Sequence, residues 1–176
     1  MEHLISNSYR DMLVEKHSDK LWGGSSKAHS NKIIEIAEKN KCFDALDYGS
    51  SDHGACLKRH FHRNHPGKLL FYEYDPAIPS KSALPQRTDM LVCTDVLEHI
   101  EPELLDNVLN HMKDCMIKCG YFVISTIPAY QILADGRNAH LILEDKEWWK
   151  AKLQRYFEVE SMQWTKSEVR TVVKPL

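Results

Sequence analysis

Three things are scarce in this 176-residue chain: long apolar runs, an excess of one charge, and cysteines spaced as pairs. No apolar run approaches the roughly 20 residues that a membrane-spanning helix requires, so no membrane association is expected. Lys and Arg total 23 against 25 Asp and Glu, a net charge of -2, which gives no global electrostatic reason to bind nucleic acid or a lipid surface. The five cysteines, at 42, 56, 93, 115 and 119, are odd in number and contain no CxxC pair. Reduced thiols in a cytoplasmic protein are therefore expected, not a disulfide frame. The start, MEHLISNSYRDMLVEK, lacks a basic segment followed by an apolar one, so no secretory leader is expected. Internal repeats and low-complexity tracts are also missing.

What is present has the proportions of a globular protein: 43% hydrophobic and 27% charged residues, at a length expected of one domain. The most informative stretch is Phe43 to Gly54, FDALDYGSSDHG, read with Tyr72-Glu-Tyr-Asp75. An apolar run ends in Asp47, a turn holds Gly49 and Gly54, a basic stretch of helical pattern follows, and a second apolar run ends in Asp75. Strand, glycine turn, helix, strand, acid is the first half of a nucleotide-binding α/β domain. The turn brings backbone close to a ligand, and the acid can accept ribose hydroxyls. Gly49, Ser51 and Gly54 form a GxGxxG in which serine replaces the middle glycine, a weak signal by itself.

Along the rest of the chain, helices are expected over Leu4 to Lys16, Ser30 to Lys39, Ala55 to His62, Pro102 to Met116 and Asp145 to Arg155. Trp22, Gly23 and Gly24 form a joint, either a plain interhelix connection or a lid. Strands are expected at Ala45 to Tyr48, Leu69 to Tyr74, Asp89 to Cys93 and Tyr121 to Ile127, with Gly120 stopping the preceding helix. Phe157 to Trp164 and Val169 to Val173 have the pattern of a closing antiparallel hairpin. Only Pro76 to Thr88, with three prolines, separates the second strand from the third. A helix–strand–helix excursion does not fit there, so one peripheral strand of a doubly wound sheet is expected to be missing. The fold class is thus α/β: a Rossmann-like mixed sheet with helices on both faces and a C-terminal hairpin. A helical cap over 1–40 would precede a Rossmann-like core over 41–176, the whole chain 1–176 forming one domain.

At the third strand the pattern becomes specific. Asp89-Met-Leu-Val-Cys-Thr-Asp-Val-Leu-Glu-His-Ile100 resembles the fourth motif of class I S-adenosylmethionine-dependent methyltransferases, where a strand ends in a loop and a "VLEH" turn. Leu46-Asp-Tyr-Gly49, Tyr74-Asp-Pro-Ala77, Phe122-Val-Ile-Ser125, Asp135-Gly-Arg-Asn-Ala-His-Leu141 and Glu147-Trp-Trp149 also resemble small bacterial and phage-encoded members. The resemblance runs from about Gly23 to Val159. It implies S-adenosylmethionine as cofactor, bound by Asp47, Gly49, Ser51, Asp75, Pro76, Asp95 and Val96. Asp47 and Gly49 would lie beside the methionine part, Asp75 at the ribose, and Asp95 and Val96 at the end of the third strand. The chain departs from the family turn, which has glycine where Ser51 stands and often at His53 as well.

The implied reaction is an in-line displacement: a nucleophile attacks the methyl group of a sulfonium, and a neutral sulfide leaves. The protein then mainly positions and desolvates the pair. An oxygen nucleophile gains from a general base, and His99 and His140, both following strands, are the candidates. The acceptor expected is an oxygen or nitrogen of a small molecule. Other readings stay open. One is a degenerate fold that binds the cofactor or a partner without turnover, which Ser51 and His53 favour. Another is a nucleic-acid methyltransferase, disfavoured because Thr94-Asp-Val-Leu97 is not the Asn/Asp-Pro-Pro-aromatic signature of base amino methylases. A nicotinamide enzyme is disfavoured by the lack of room for a second domain. His60, His62 and His65 match no common zinc spacing and are read as a solvated basic helix face, so no metal ligands are assigned. Trp148 and Trp149 are read as packing residues.

Overall fold

The computed structural model describes residues 4–17, 25–51 and 57–176. The Trp22-Gly23-Gly24 joint, and His53 and Gly54 of the glycine turn, lie outside the described residues. Helices α1 (Asn7–His17) and α2 (Ser30–Lys39) lead into strand β1 (Asp44–Tyr48), helix α3 (Leu57–Asn64) and strand β2 (Leu70–Tyr74). Strand β3 (Thr88–Thr94), helix α4 (Leu105–Cys115), strand β4 (Met116–Ser125), helix α5 (Lys146–Leu153) and the strands β5 (Phe157–Trp164) and β6 (Glu168–Pro175) follow. No helix among the described residues is long and apolar enough to cross a membrane.

The six strands form one sheet in the order β2-β1-β3-β4-β6-β5. β2, β1, β3 and β4 are parallel; β6 runs antiparallel to both β4 and β5. The sheet ends at β2, and the connection to β3 holds a single 3-10 turn, Pro79–Lys81. Three prolines in so short a connection leave neither the length nor the backbone donors for a further strand.

Burial follows the two-residue period of a sheet covered on both faces. In β3, Met90 and Val92 pack towards α2 and α3, while Leu91 and Cys93 pack towards α4. In β4, Tyr121 and Val123 take the first face, Phe122 and Ile124 the second. α2 contributes Ile33, Ile36 and Ala37, and α3 contributes Leu57 and Phe61, the helical spacing that makes one apolar stripe. α4 buries Leu105, Val108, Leu109, Met112 and Cys115. Asp145 caps α5 by accepting from the Trp148 backbone N–H at 2.9 Å, and Trp149 is fully buried in the core. The described cysteines, Cys42, Cys93, Cys115 and Cys119, are free and buried. A smaller apolar cluster ties α1 to the long loop after β4: Tyr9, Leu133 and Ala139 with Ile5, Met12, Leu13, Ala129 and Leu141.

One expected boundary is wrong. Gly120 does not stop a helix; α4 ends at Cys115, and Gly120 lies inside β4, paired with Leu91 and Val173. Its glycine has a packing cause. A Cβ built there would stand 2.8 Å from Phe122 Cε1 and 3.0 Å from Val173 Cγ2. Gly120→Ala is expected to lower stability by about 1–3 kcal/mol, because ring and valine must both give way. Urea unfolding checks this: the midpoint should fall while its slope is kept.

Candidate functional site

β1, β2 and β3 end level, Asp47 beside Glu73 and Val92, and Tyr48 beside Tyr74. The chain leaves β1 towards β2 on one side and returns to β3 on the other. Open α/β sheets have their ligand crevice at this reversal, beyond the carboxyl ends of the strands. A cavity of about 730 Å³ lies there. All nine residues singled out from the sequence line it: Asp47, Gly49, Ser51, Asp75, Pro76, Asp95, Val96, His99 and His140.

The β1 end is built around Gly49. Its φ is +81°, a region that suits glycine, and a Cβ there would stand 2.4 Å from Val96 Cγ2. Its N–H, like that of Ser50, donates to the Tyr74 carbonyl, at 2.8 and 3.1 Å. Lys81 then fastens the turn to the β2–β3 connection, donating to the Ser50 and Ser51 carbonyls at 3.2 and 3.0 Å and to Glu73 at 3.1 Å. Asp75 is buried at the end of β2 and accepts from the Ala77 N–H at 2.9 Å. Asp95, at the end of β3, takes a left-handed φ of +54°. Ser50 was not anticipated from the sequence. The residue lines the cavity, and its hydroxyl is buried without a hydrogen-bond partner among the described residues.

Asp47 is 4% exposed, and the Leu57 N–H donates to its Oδ2 at 3.3 Å. Burial, aided by the charge of Glu73, lifts its carboxyl to about 7. No lysine or arginine lines the cavity among the described residues, whereas Asp47, Asp75, Asp95 and Glu101 do. Such a wall favours a positively charged ligand. The donors and acceptors fit S-adenosylmethionine: acids at the ends of β1 and β2, an unpartnered buried hydroxyl, and an acidic surface for a cationic molecule.

The other end of the cavity holds histidines. The 3-10 turn Leu97–His99 follows β3, and the loop after β4 brings His140 against it, with ring centroids 4.7 Å apart in an edge-to-face arrangement. His99 Nδ1 lies 2.8 Å from the Ala139 carbonyl, and His140 Nδ1 lies 2.6 Å from the Ile127 carbonyl. A carbonyl only accepts, so both rings donate through Nδ1, and in the neutral ring the lone pair falls on Nε2. Burial, and then the neighbouring His140, hold His99 down to about 4. α1 and the residues just before it roof this end, with Leu4, Ile5, Tyr9 and Leu13 along the cavity wall, and Tyr9 Oη donates to the His99 carbonyl at 2.6 Å. Glu101 accepts from the Ser6 N–H at 2.8 Å and from its hydroxyl at 2.6 Å, which fixes the start of α1.

Trp148 and Trp149 stand outside the cavity wall, and Lys152 lies over the Trp148 ring at 5.5 Å. Lys58, Arg59, His62 and His65 gather around Phe43 and Gly67, which precede β1 and β2, at the opposite edge of the sheet.

The raised Asp47 carboxyl has a consequence for stability. It is ionised in the unfolded chain above its ordinary value of 3.8 but resists ionisation in the fold until about 7. The folded state then holds the extra proton, so stability falls as pH rises from about 4 to 7 and levels off above. Asp47→Asn keeps an acceptor for the Leu57 N–H and removes this penalty. It should stabilise the cofactor-free protein by about 2 kcal/mol more at pH 8 than at pH 5. Paired urea titrations at the two pH values measure the difference.

No family model and no curated protein matches the sequence. Solved structures do match its fold. The structure of DhpI with S-adenosylhomocysteine superposes with a TM-score of 0.64 at 11% identity, covering 97% of this chain and 98% of that one. The 1,6-didemethyltoxoflavin N1-methyltransferase of Burkholderia thailandensis gives 0.60 at 14% identity, covering 96% and 89%. The N-methyltransferase NodS of Bradyrhizobium japonicum gives 0.55 at 12% identity, covering 97% and 99%. With its sheet order and C-terminal antiparallel strands, the chain has the fold of the class I S-adenosylmethionine-dependent methyltransferases.

Proposed function

We propose that the protein is an S-adenosylmethionine-dependent methyltransferase acting on an oxygen or nitrogen of a small molecule. One observation carries this most: two buried acids, Asp47 and Asp75, end adjacent parallel strands around a glycine turn, in a cavity wall without lysine or arginine among the described residues. In this reading Asp75, buried at the end of β2, accepts the ribose hydroxyls. Asp47 and Gly49 stand where the methionine part would lie, and an ammonium group there would keep Asp47 ionised at neutral pH. Ser51 and Pro76 flank the turn, and Asp95 and Val96 form the wall towards the acceptor. Bound there, S-adenosylmethionine supplies a methyl group on a positively charged sulfur.

The protein's own part is positioning and exclusion of water. Leu4, Ile5, Leu13, Ile100, Val108 and Ile127 make the remaining wall apolar. A cation whose charge disperses as its methyl group departs loses little by leaving water. His99 and His140 face the acceptor end. His99, held near 4, is a weak proton acceptor at neutral pH.

The volume supports ligand binding: Ser51 is part of the wall of a cavity of about 730 Å³, a normal ligand volume. The acid-lined wall also argues against a nucleic-acid acceptor, since phosphates would meet carboxylates there. The structures of DhpI, the Burkholderia enzyme and NodS hold S-adenosylhomocysteine, which supports the same cofactor class.

Calorimetric titration with S-adenosylmethionine and S-adenosylhomocysteine tests the proposal. Micromolar binding is expected, with Asp75→Ala weakening it by about 10- to 100-fold, the worth of hydrogen bonds to a charged acceptor. Absence of binding by both ligands overturns the proposal.

A further inference from the structure

Among the described residues, one set of side chains is arranged to hold a metal ion, and it includes a residue that the methyltransferase reading leaves without a role. One possible ligand atom from each of Glu98, His99 and His140 lies within 4.8 Å of the other two. Glu98 is 0% exposed. Its Oε1 accepts from the Ser125 N–H at 2.9 Å, while its Oε2 has no hydrogen-bond partner among the described residues. A buried carboxylate oxygen left without a donor is costly, and a fold that keeps one usually completes it with water or an ion.

The imidazoles are prepared in a matching way. Each donates its Nδ1 proton to a backbone carbonyl, Ala139 for His99 and Ile127 for His140. Metal-bound histidines characteristically donate their other ring N–H to a carbonyl or carboxylate, which fixes the tautomer and directs the remaining lone pair at the ion. Both rings line the cavity, so an ion between them and Glu98 would have protein on one side and the acceptor end of the cavity on the other.

We propose that Glu98, His99 and His140 form a binding site for a divalent transition-metal ion whose remaining coordination positions open into the cavity. Two imidazoles and one carboxylate select zinc, iron, cobalt or nickel over magnesium and calcium, which prefer oxygen alone. In a tetrahedral site with bonds of about 2.0–2.2 Å the ligand atoms stand about 3.4 Å apart. The side chains therefore need to draw in by no more than about 1.4 Å on an ion. The ion's role rests on the proposed methyltransferase activity; the site does not. With an ion bound, His99 and His140 would serve as ligands, and the ion would activate the acceptor by lowering its pKa, in place of an imidazole that takes its proton. A hydroxyl coordinated there would lose its proton to solvent, and its oxygen would bond to the methyl carbon as the sulfur–carbon bond broke and its electron pair stayed on sulfur.

The test uses Co²⁺ alone, added to the metal-stripped full chain and followed by visible absorption. Equimolar binding is expected, with the bands of a nitrogen- and oxygen-ligated ion and no thiolate charge-transfer band. Glu98→Gln, which keeps an acceptor for Ser125, and His140→Ala should each weaken it at least about tenfold. Near-UV circular dichroism selects variants that keep the native core. No equimolar binding by the wild type overturns the site whatever the variants do. So does a thiolate band, or binding unchanged in a folded Glu98→Gln or His140→Ala protein. Titration of the same wild-type sample with S-adenosylhomocysteine keeps the two ideas separate. Cobalt without cofactor binding overturns the methyltransferase reading and leaves the metal site; cofactor without cobalt binding does the reverse.

Discussion

The close approach of Gly49 to Val96 is the constraint on which the rest of the cavity depends. It joins the end of β1 to the end of β3 across the point where the chain reverses, with no space for even one extra carbon. The Tyr74 carbonyl holds the turn on the β2 side, and Lys81 holds it from the β2–β3 connection. Asp47, Asp75 and Asp95 sit at the ends of these three strands, so their mutual geometry follows from this one contact and the register beneath it. A ligand touching all three acids reads the sheet edge directly, with little loop between.

The same geometry sets the electrostatics. Burial raises both the Asp47 and the Glu98 carboxyl, Glu98 well beyond the usual carboxylate range, with Asp95 adding to the rise of Glu98 and Lys81 offsetting only part of that of Asp47. A fold built for stability alone would gain by replacing them with apolar residues. Asp47 in the cavity wall and Glu98 beside the cavity-lining His99 make sense if each receives positive charge on binding: an ammonium and sulfonium at one, a metal ion at the other. Glu98 lies 0% exposed behind the two histidines, so it would act through an ion and not by touching an acceptor.

The parts of this design that depend on local pattern could be read from the sequence. Strands that end in an acid, a glycine turn after the first, and three prolines closing off a further strand are each written within a dozen residues. Asp47, Gly49 and Asp75 stand out at that level, the other cofactor candidates came from the family resemblance, and the fold draws all of them and the two histidines to one cavity. What could not be read depends on contacts distant in sequence. Gly120 has the look of a helix stop until Phe122 and Val173 are seen to occupy its Cβ space. Ser50 carries no pattern of its own. Glu98 has the look of a capping acid until the loop after β4 brings His140 to it, 42 positions along. The roofing of the acceptor end by α1 rests on Tyr9 bonding the His99 carbonyl, a pairing across 90 residues that no periodicity announces.

The acid-lined wall also bears on direction and turnover. In the proposed reaction the cofactor would face these carboxylates as a cation before transfer, and afterwards its sulfur would be neutral and that attraction gone. Charge alone would then distinguish the two forms of the ligand, and the spent form would leave more readily. At the far end the logic runs the other way. There a neutral acceptor that gives up a proton would become an anion between Glu101 and Asp95, which is unfavourable without a compensating cation. The cavity, as built from this sequence, welcomes positive charge throughout. An oxygen acceptor needs an added cation there in a way that an amine acceptor does not, and the orphaned oxygen of Glu98 lies where one would be held.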